Sequence, residues 1–135
     1  MNEFPWTALV TLLAFVVYLA MIIGVGSARG RAKIAAPAMI GDPNFERMVR
    51  VQMNTLESFP VYLGSLWLFA SHWGDQWAAG IGAFWIVGRF IYWRGYLSDP
   101  KARSPGFMVQ SVSMLILLIG ALAGVAQILV ATFAH

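Results

Sequence analysis

Hydrophobic residues dominate four long stretches of the chain, and short polar connections separate them. The predicted helices cover about 6–26, 46–71, 77–97 and 106–133. Each has at least the roughly 20 residues that a helix needs to cross about 30 Å of hydrocarbon, and the connections carry Pro and Gly, as in Gly41-Asp42-Pro43. The pattern predicts an all-α fold, an integral membrane four-helix bundle in a single domain over 1–135.

Composition supports a membrane protein and excludes several kinds of site. Hydrophobic residues make up 59% of the 135 residues and charged residues 11%, whereas a soluble domain carries roughly 25% charged residues. The chain has no cysteine, which excludes a disulfide framework and a thiol nucleophile of its own. With only His72 and His135 as histidines, we expect no metal site.

The positive charges predict an orientation in the membrane. All nine Lys and Arg residues lie beside the first and third connections, and the termini and the second connection have none. Basic loops stay on the cytoplasmic side, so both termini are expected on the opposite side. Because this explains the cations, we expect no nucleic-acid partner. The two groups are Arg29, Arg31, Lys33, Arg47 and Arg50, and then Arg89, Arg94, Lys101 and Arg103.

The second predicted helix carries a polar face that reaches into the bilayer. Arg50, Asn54 and Glu57 follow one another at spacings of four and three residues, so they share one side of the helix. At about 1.5 Å per residue, Glu57 lies on the order of 10 Å beyond Arg50. An ionised carboxylate at that depth needs a partner or a wet cavity.

The third helix offers that partner at a similar depth. Arg89, Tyr92 and Tyr96 share a face, and the helix runs back towards the basic side. We therefore predict an intramembrane ion pair between Glu57 and Arg89. Such a pair could simply lock the two helices together or could take part in chemistry, and both interpretations stay open.

The polar residues near the basic end form a larger set than helix ends usually need. Single arginines and tyrosines there can be explained by side chains that reach the membrane surface, but Asn54 and Glu57 lie too deep for that. Guanidinium, amide and phenol groups together suit an anionic, carboxylate-bearing ligand that is part polar and part lipid. The set is Arg47, Arg50, Gln52, Asn54, Tyr92, Tyr96 and Arg103.

These residues also form a recognisable motif. The pattern Glu46-Arg47-x-x-Arg50-x-Gln52-x-Asn54-x-x-Glu57-x-x-Pro60 resembles the signature of the MAPEG family, the membrane-associated proteins in eicosanoid and glutathione metabolism. Ser27-Ala28-Arg29, Arg89-x-x-Tyr92-x-x-Gly95-Tyr96 and Arg103 extend the resemblance over essentially the whole chain. It is strongest to the branch of leukotriene C4 synthase and 5-lipoxygenase-activating protein.

The resemblance implies a ligand and an assembly. In enzymes of this family, glutathione is the co-substrate and binds between neighbouring subunits of a homotrimer. Arg103 matches the arginine thought to stabilise the glutathione thiolate, because a cation beside a thiol favours its charged form. The positions that match the family's glutathione contacts are Arg29, Arg50, Gln52, Asn54, Glu57, Tyr92 and Tyr96.

The chain departs from the family pattern at two positions. Ser58 stands where leukotriene C4 synthase has a tyrosine, and Gly30 stands where it has a second arginine. The second arginine has been assigned a part in substrate activation, so its absence argues against leukotriene synthesis. Neither change touches the residues that match the thiolate site.

Three functions remain to be compared. The first is a glutathione transferase or peroxidase that acts on lipophilic electrophiles or hydroperoxides. The alternative is a non-catalytic membrane lipid-binding or scaffold protein of the same fold, which the presence of the complete polar set argues against. A small transporter has little support, because the sequence shows no inverted repeat.

The fourth helix has two features that predict close packing rather than chemistry. Gly120 and Gly124 are four residues apart, the spacing that lets another helix approach closely. Gln127, one turn further on, is expected to form a hydrogen bond to a neighbouring helix.

Overall fold

Four long helices account for most of the chain. The computed structural model describes residues 2–135, and no strand occurs among them. The helices are α1 (Pro5–Ala32), α2 (Pro43–Trp73), α3 (Asp75–Ser98) and α4 (Ser104–Phe133), with a short 3-10 helix at Pro100–Arg103. The predicted all-α, four-helix chain is confirmed, and α1 continues six residues past its predicted end at 26.

The start of α2 follows from two adjacent residues. The side chain of Asp42 accepts a hydrogen bond from the backbone N–H of Phe45 at 2.9 Å, which caps the first turn. Pro43 occupies the first helical position, where the missing N–H costs nothing. The helix then runs through Pro60 to Trp73 without a break.

A single residue joins α2 to α3. Gly74 adopts φ 110° and ψ 156°, a conformation that residues with a Cβ rarely take. Its N–H donates to the carbonyl of Ala70 and closes the end of α2. The two helices therefore form a tight hairpin.

The core is aromatic in its middle. Trp85 and Tyr62 are fully buried and stack with their ring centroids 4.0 Å apart and their planes at 9°. The Tyr62 hydroxyl donates to the carbonyl of Gly82 at 2.9 Å, so its polar end is satisfied within the bundle. This layer joins α2 to α3 just below the polar end of the molecule.

Glycine allows α3 and α4 to approach each other closely. A Cβ placed on Gly88 would lie 2.5 Å from the backbone nitrogen of Gln110, and one on Gly106 would overlap the backbone of Tyr92. These contacts set the position of α4 relative to the tyrosine face of α3.

The predicted packing of α4 is confirmed. Gly120 lies directly against the ring of Phe69, and Gly124 lies against the ring of His72. Gln127 Oε1 and His72 Nε2 are 2.9 Å apart, which is the predicted hydrogen bond between helices. The second half of α4 is therefore held against α2.

The four helices differ in how well they suit lipid. Within residues 2–135, α1 and the segment Pro100–Phe133 are long and apolar enough to cross a membrane. α2 and α3 are similar in length but carry the polar residues of the predicted site. The hydrophobicity of the individual helices thus supports two spans, and the polar helices α2 and α3 pack between them.

The end of the bundle away from the basic residues is fixed by one carboxylate. Asp75 Oδ1 accepts from the backbone N–H of Thr7 at 2.7 Å, and Asp75 Oδ2 accepts from that of Trp6 at 3.0 Å. An acidic residue at the start of α3 therefore caps the N-terminus of α1, where free N–H groups and the helix dipole favour negative charge.

Replacement of Asp75 by alanine should lower the melting temperature of the detergent-solubilised protein by a few degrees, because two N–H groups of α1 lose their acceptor. Partial desolvation opposes ionisation of Asp75, but hydrogen bonds from Thr7 and Trp6 outweigh it and hold its pKa below the ordinary 3.8. The stabilisation should be complete above pH 3.8 and should disappear as the pH falls through the lower pKa of the folded state. Glu3→Gln, which changes an exposed carboxylate near the same end, is the control.

Candidate functional site

A polar cleft opens at the basic end of the bundle, between α2, α3 and the start of α4. Its volume is about 420 Å³, within the roughly 300–1,000 Å³ typical of small-molecule sites. The cleft is lined by Arg50, Asn54, Tyr92, Tyr96, Arg103, Ser104 and Phe107. Five of these seven are predicted site residues, so helical spacing and the resemblance led to the same place.

An ion pair on α2 borders the cleft. Arg50 Nη1 lies 3.3 Å from Glu57 Oε1, two turns further along the same face. The two side chains are 50% and 54% exposed in the single chain. Both charges therefore remain able to contact a ligand or a neighbouring chain.

A buried arginine stands behind the cleft. Arg89 is fully buried on α3, and its Nη1 and Nη2 both donate to Asn54 Oδ1, at 2.8 and 2.9 Å. Its guanidinium carbon lies 4.3 Å from the centroid of the Tyr92 ring. The guanidinium thus contacts one cleft residue from α2 and one from α3.

The predicted Glu57–Arg89 ion pair is wrong for this chain. Arg89 bonds to Asn54, one turn before Glu57, and Glu57 pairs with Arg50 instead. Glu57 lies three residues beyond Asn54, the residue that Arg89 contacts, and its side chain points to the outside of α2. A carboxylate costs more to desolvate than an amide, and Arg50 on the same face of α2 supplies the counter-ion that Glu57 needs.

Aromatic rings form the α3 side of the cleft. Tyr92 and Tyr96 stack with their centroids 5.6 Å apart and their planes at 21°. Phe107, on the first turn of α4, lies 6.4 Å from Tyr92. Arg103 ends the 3-10 helix that leads into α4, and this brings its guanidinium to the same opening.

Two predicted site residues lie elsewhere. Arg29 donates to the carbonyl of Ala38 at 2.7 Å and stacks on Phe45 at 4.8 Å, so it holds the first connection in place. Gln52 donates through Nε2 to the hydroxyl of Tyr18 on α1 at 2.8 Å. Within one chain, Arg29 and Gln52 are therefore on the α1 side, away from the cleft.

Two lining residues escaped the sequence prediction. Ser104 and Phe107 begin α4, and Phe107 stands one turn after Arg103. The spacing of four residues between Arg103 and Phe107 was available as a signal, but a phenylalanine at the start of an apolar helix has no distinguishing chemistry.

Arg47, also in the predicted polar set, does not line the cleft. It donates to the carbonyl of Leu97 instead, at 3.2 Å.

The fold and the cleft define an all-helical membrane protein with a polar site at one end of its bundle. Residues 7–123 match the sequence model of the MAPEG family, and the chain belongs to that family. The family resemblance of the motif is thereby confirmed.

Several relatives are similar over most of their length. An uncharacterized protein of Synechocystis sp. is 43% identical over 124 residues, which cover 92% of this chain and 90% of the relative. Microsomal glutathione S-transferase 2 of Homo sapiens is 36% identical over 99 residues, or 73% and 67% of the two chains. Leukotriene C4 synthase of Mus musculus is 32% identical over 102 residues, or 76% and 68%.

Proposed function

We propose that this protein is a membrane-bound glutathione transferase that joins the glutathione sulfur to lipophilic electrophiles. The observation that carries the proposal is the convergence of Arg50, Asn54, Tyr92, Tyr96 and Arg103 on one cleft. Its relatives include a glutathione S-transferase and a leukotriene C4 synthase by name, which agrees with this chemistry.

Side chains in and beside the cleft suit the charged groups of glutathione. The tripeptide has two carboxylates, an ammonium group and a thiol. The guanidinium of Arg50 suits a carboxylate, which it can grip with two parallel hydrogen bonds. The carboxylate of Glu57, beside Arg50, offers an acceptor for the ammonium group.

Arg103 is the residue that we assign to the chemical step. A cation beside the thiol favours the thiolate, so the sulfur loses its proton to water and becomes nucleophilic at neutral pH. The thiolate then attacks the electrophilic carbon and forms the C–S bond, while the bond from that carbon to its leaving group, or the C–O bond of an epoxide, breaks and the departing atom takes the electron pair and then a proton from water. Attack of the same thiolate on a hydroperoxide would break the O–O bond and give an alcohol and the sulfenic acid of glutathione, which a second glutathione would convert to glutathione disulfide and water; this is the peroxidase form of the reaction.

A homotrimer would complete the site. In a single chain, Arg50 and Glu57 are about half exposed on a helix that carries them into the bilayer, where contact with lipid would be costly. A cyclic assembly brings two different faces of the same chain together at each interface. The α1 side, with Arg29 and Gln52, would thus meet the cleft of the next chain, with the basic end on the cytoplasmic side.

Binding of glutathione provides the direct test. The protein in detergent should bind glutathione at millimolar concentration or below, and the ultraviolet absorbance of the thiolate should rise as it binds. S-Methylglutathione, which has no ionisable thiol, is the matched control and should bind without that absorbance. Absence of glutathione binding would overturn the proposal. Binding of fatty acids without thiolate formation would support the lipid-binding alternative instead.

A further inference from the structure

Arg89 is a buried cation without an anionic partner. It is 0% exposed, and across residues 2–135 the one contact within 4.0 Å between a carboxylate and a guanidinium joins Arg50 to Glu57. Its Nε has no hydrogen-bond partner in the described part of the chain. A well-packed apolar residue at such a position commonly gives equal or better stability. Stability alone therefore gives no reason for an arginine here.

The hydrogen bonds of Arg89 decide how Asn54 faces the cleft. A guanidinium group can only donate, so the side-chain oxygen of Asn54 must be the atom that points towards it. Both Nη groups contact that oxygen, which occupies its lone pairs. The atom that Asn54 has left for the cleft is Nδ2, with two N–H donors and no acceptor.

The charge of Arg89 also reaches the cleft. Its guanidinium lies behind the ring of Tyr92, and that ring also stacks on Tyr96 in the cleft wall. Around the cleft, three guanidinium groups (Arg50, Arg89 and Arg103) then face one carboxylate, that of Glu57. A buried charge acts through a medium of low dielectric and is screened less than an exposed one.

We propose that Arg89 is a positioning residue: it holds Asn54 as a pure hydrogen-bond donor towards the ligand and supplies a buried positive charge that favours the ligand's thiolate. This inference rests on the proposed glutathione transferase function. The bidentate hydrogen bond accounts for the orientation of Asn54, and the buried charge accounts for the thiolate. The two contributions can be separated by experiment.

Arg89→Met removes both contributions and keeps an unbranched apolar side chain. We expect glutathione to bind about tenfold more weakly, since the Asn54 amide is free to turn. The pH at which half of the bound glutathione is thiolate should rise, because a nearby cation is lost. Arg94→Met is the matched control: Arg94 is an exposed arginine on the same helix, outside the cleft lining, and this variant should leave both quantities unchanged.

Two further variants separate the orientation of Asn54 from the buried charge, and they remain informative if Arg89→Met does not fold. Arg89→Lys keeps the charge without the two-pronged hydrogen bond, so it should weaken binding while leaving the thiolate pH close to that of the wild type. Asn54→Asp forms a buried ion pair with Arg89 but has no N–H to offer. Its melting temperature should not fall, yet glutathione affinity should drop about tenfold or more.

The outcomes separate this inference from the proposed function. If the wild type binds glutathione but Asn54→Asp binds it equally well, Asn54 does not act as a donor and the inference fails. A folded Arg89→Met with wild-type affinity and wild-type thiolate pH would also overturn it. If the wild type itself forms no thiolate with glutathione, the proposed function is what fails.

Discussion

Replacement of Arg103 by alanine should lower the rate of glutathione conjugation about 10²–10³-fold, the usual effect of removing a group that stabilises negative charge at a reacting atom. The affinity for glutathione should change much less, because the proposed site assigns other parts of the tripeptide to Arg50 and Asn54. Steady-state kinetics, together with a titration of thiolate absorbance against pH, would measure both effects. The thiolate should form only at higher pH in the variant.

Lys101→Ala is the matched control for this experiment. Lys101 is an exposed cation two residues before Arg103 in the same 3-10 helix, and it is not among the residues that line the cleft. Arg103→Lys should recover part of the rate, since the charge returns without the fork of donors. If Lys101→Ala and Arg103→Ala had equal effects, the general charge of the segment would matter rather than the position of Arg103.

Gly88→Ala should prevent the bundle from assembling. The added methyl group would lie 2.5 Å from the backbone nitrogen of Gln110 and 3.0 Å from its Cα, and backbone atoms cannot move aside as a flexible side chain can. α4 would have to shift away from α3, and the cleft between them would open. We expect little folded protein after detergent extraction, measured by gel filtration and by helical circular dichroism.

Gly80→Ala tests whether the loss of folded protein in Gly88→Ala is due to the contact with Gln110. Gly80 lies on the same helix, and a Cβ added there meets no atom within 4 Å. Alanine is preferred to glycine inside a helix by about 1 kcal/mol, so this variant should be as stable as the wild type or slightly more so. Equal stability of the Gly88→Ala and Gly80→Ala proteins would contradict the close packing of α3 on α4.

The helices were predictable because each is encoded locally. Gly74 ends α2 through a conformation that other residues avoid, and Asp42 and Pro43 start it with a side-chain cap and a fixed φ angle, three residues before the predicted start at 46. Long apolar stretches define the rest. The close approach of α3 and α4 at Gly88 was not predictable, because it depends on which residue of α4 lies opposite, and helical spacing does not determine that.

The site was predictable in part for a related reason. Spacings of three and four residues place Arg50 with Asn54, and Tyr92 with Tyr96, on one face of each helix. Those spacings give the depth of a residue but not the direction in which neighbouring helices rotate. The spacing within one helix also does not fix the register between two helices, so the partner of Arg89 was predicted one turn too far along α2, at Glu57 instead of Asn54.

The hydrogen-bond partners of Arg29 and Gln52 could not be predicted from the sequence, for another reason. Arg29 bonds to the backbone carbonyl of Ala38, and every residue type carries such a carbonyl. Gln52 donates a hydrogen bond to the hydroxyl of Tyr18 on the apolar helix α1, and no motif of polar residues around Tyr18 marks it as a partner. The motif identified Arg29 and Gln52 as important positions, but it could not indicate which side of the chain each one faces.

The one-residue link at Gly74 has a consequence for how the chain enters a membrane. An isolated α3 would carry the charge of Arg89 into lipid at a cost of about 2.5–3.5 kcal/mol. Because Gly74 alone separates α2 from α3, the two helices can fold onto each other as they leave the insertion machinery, with Arg89 already bonded to Asn54. If α2 and α3 cross the membrane as the sequence predicts, we expect the hairpin, rather than either helix by itself, to be the unit that partitions into the bilayer. α1 and the segment Pro100–Phe133 are apolar enough by themselves to cross a membrane, so we expect neither to need such a companion.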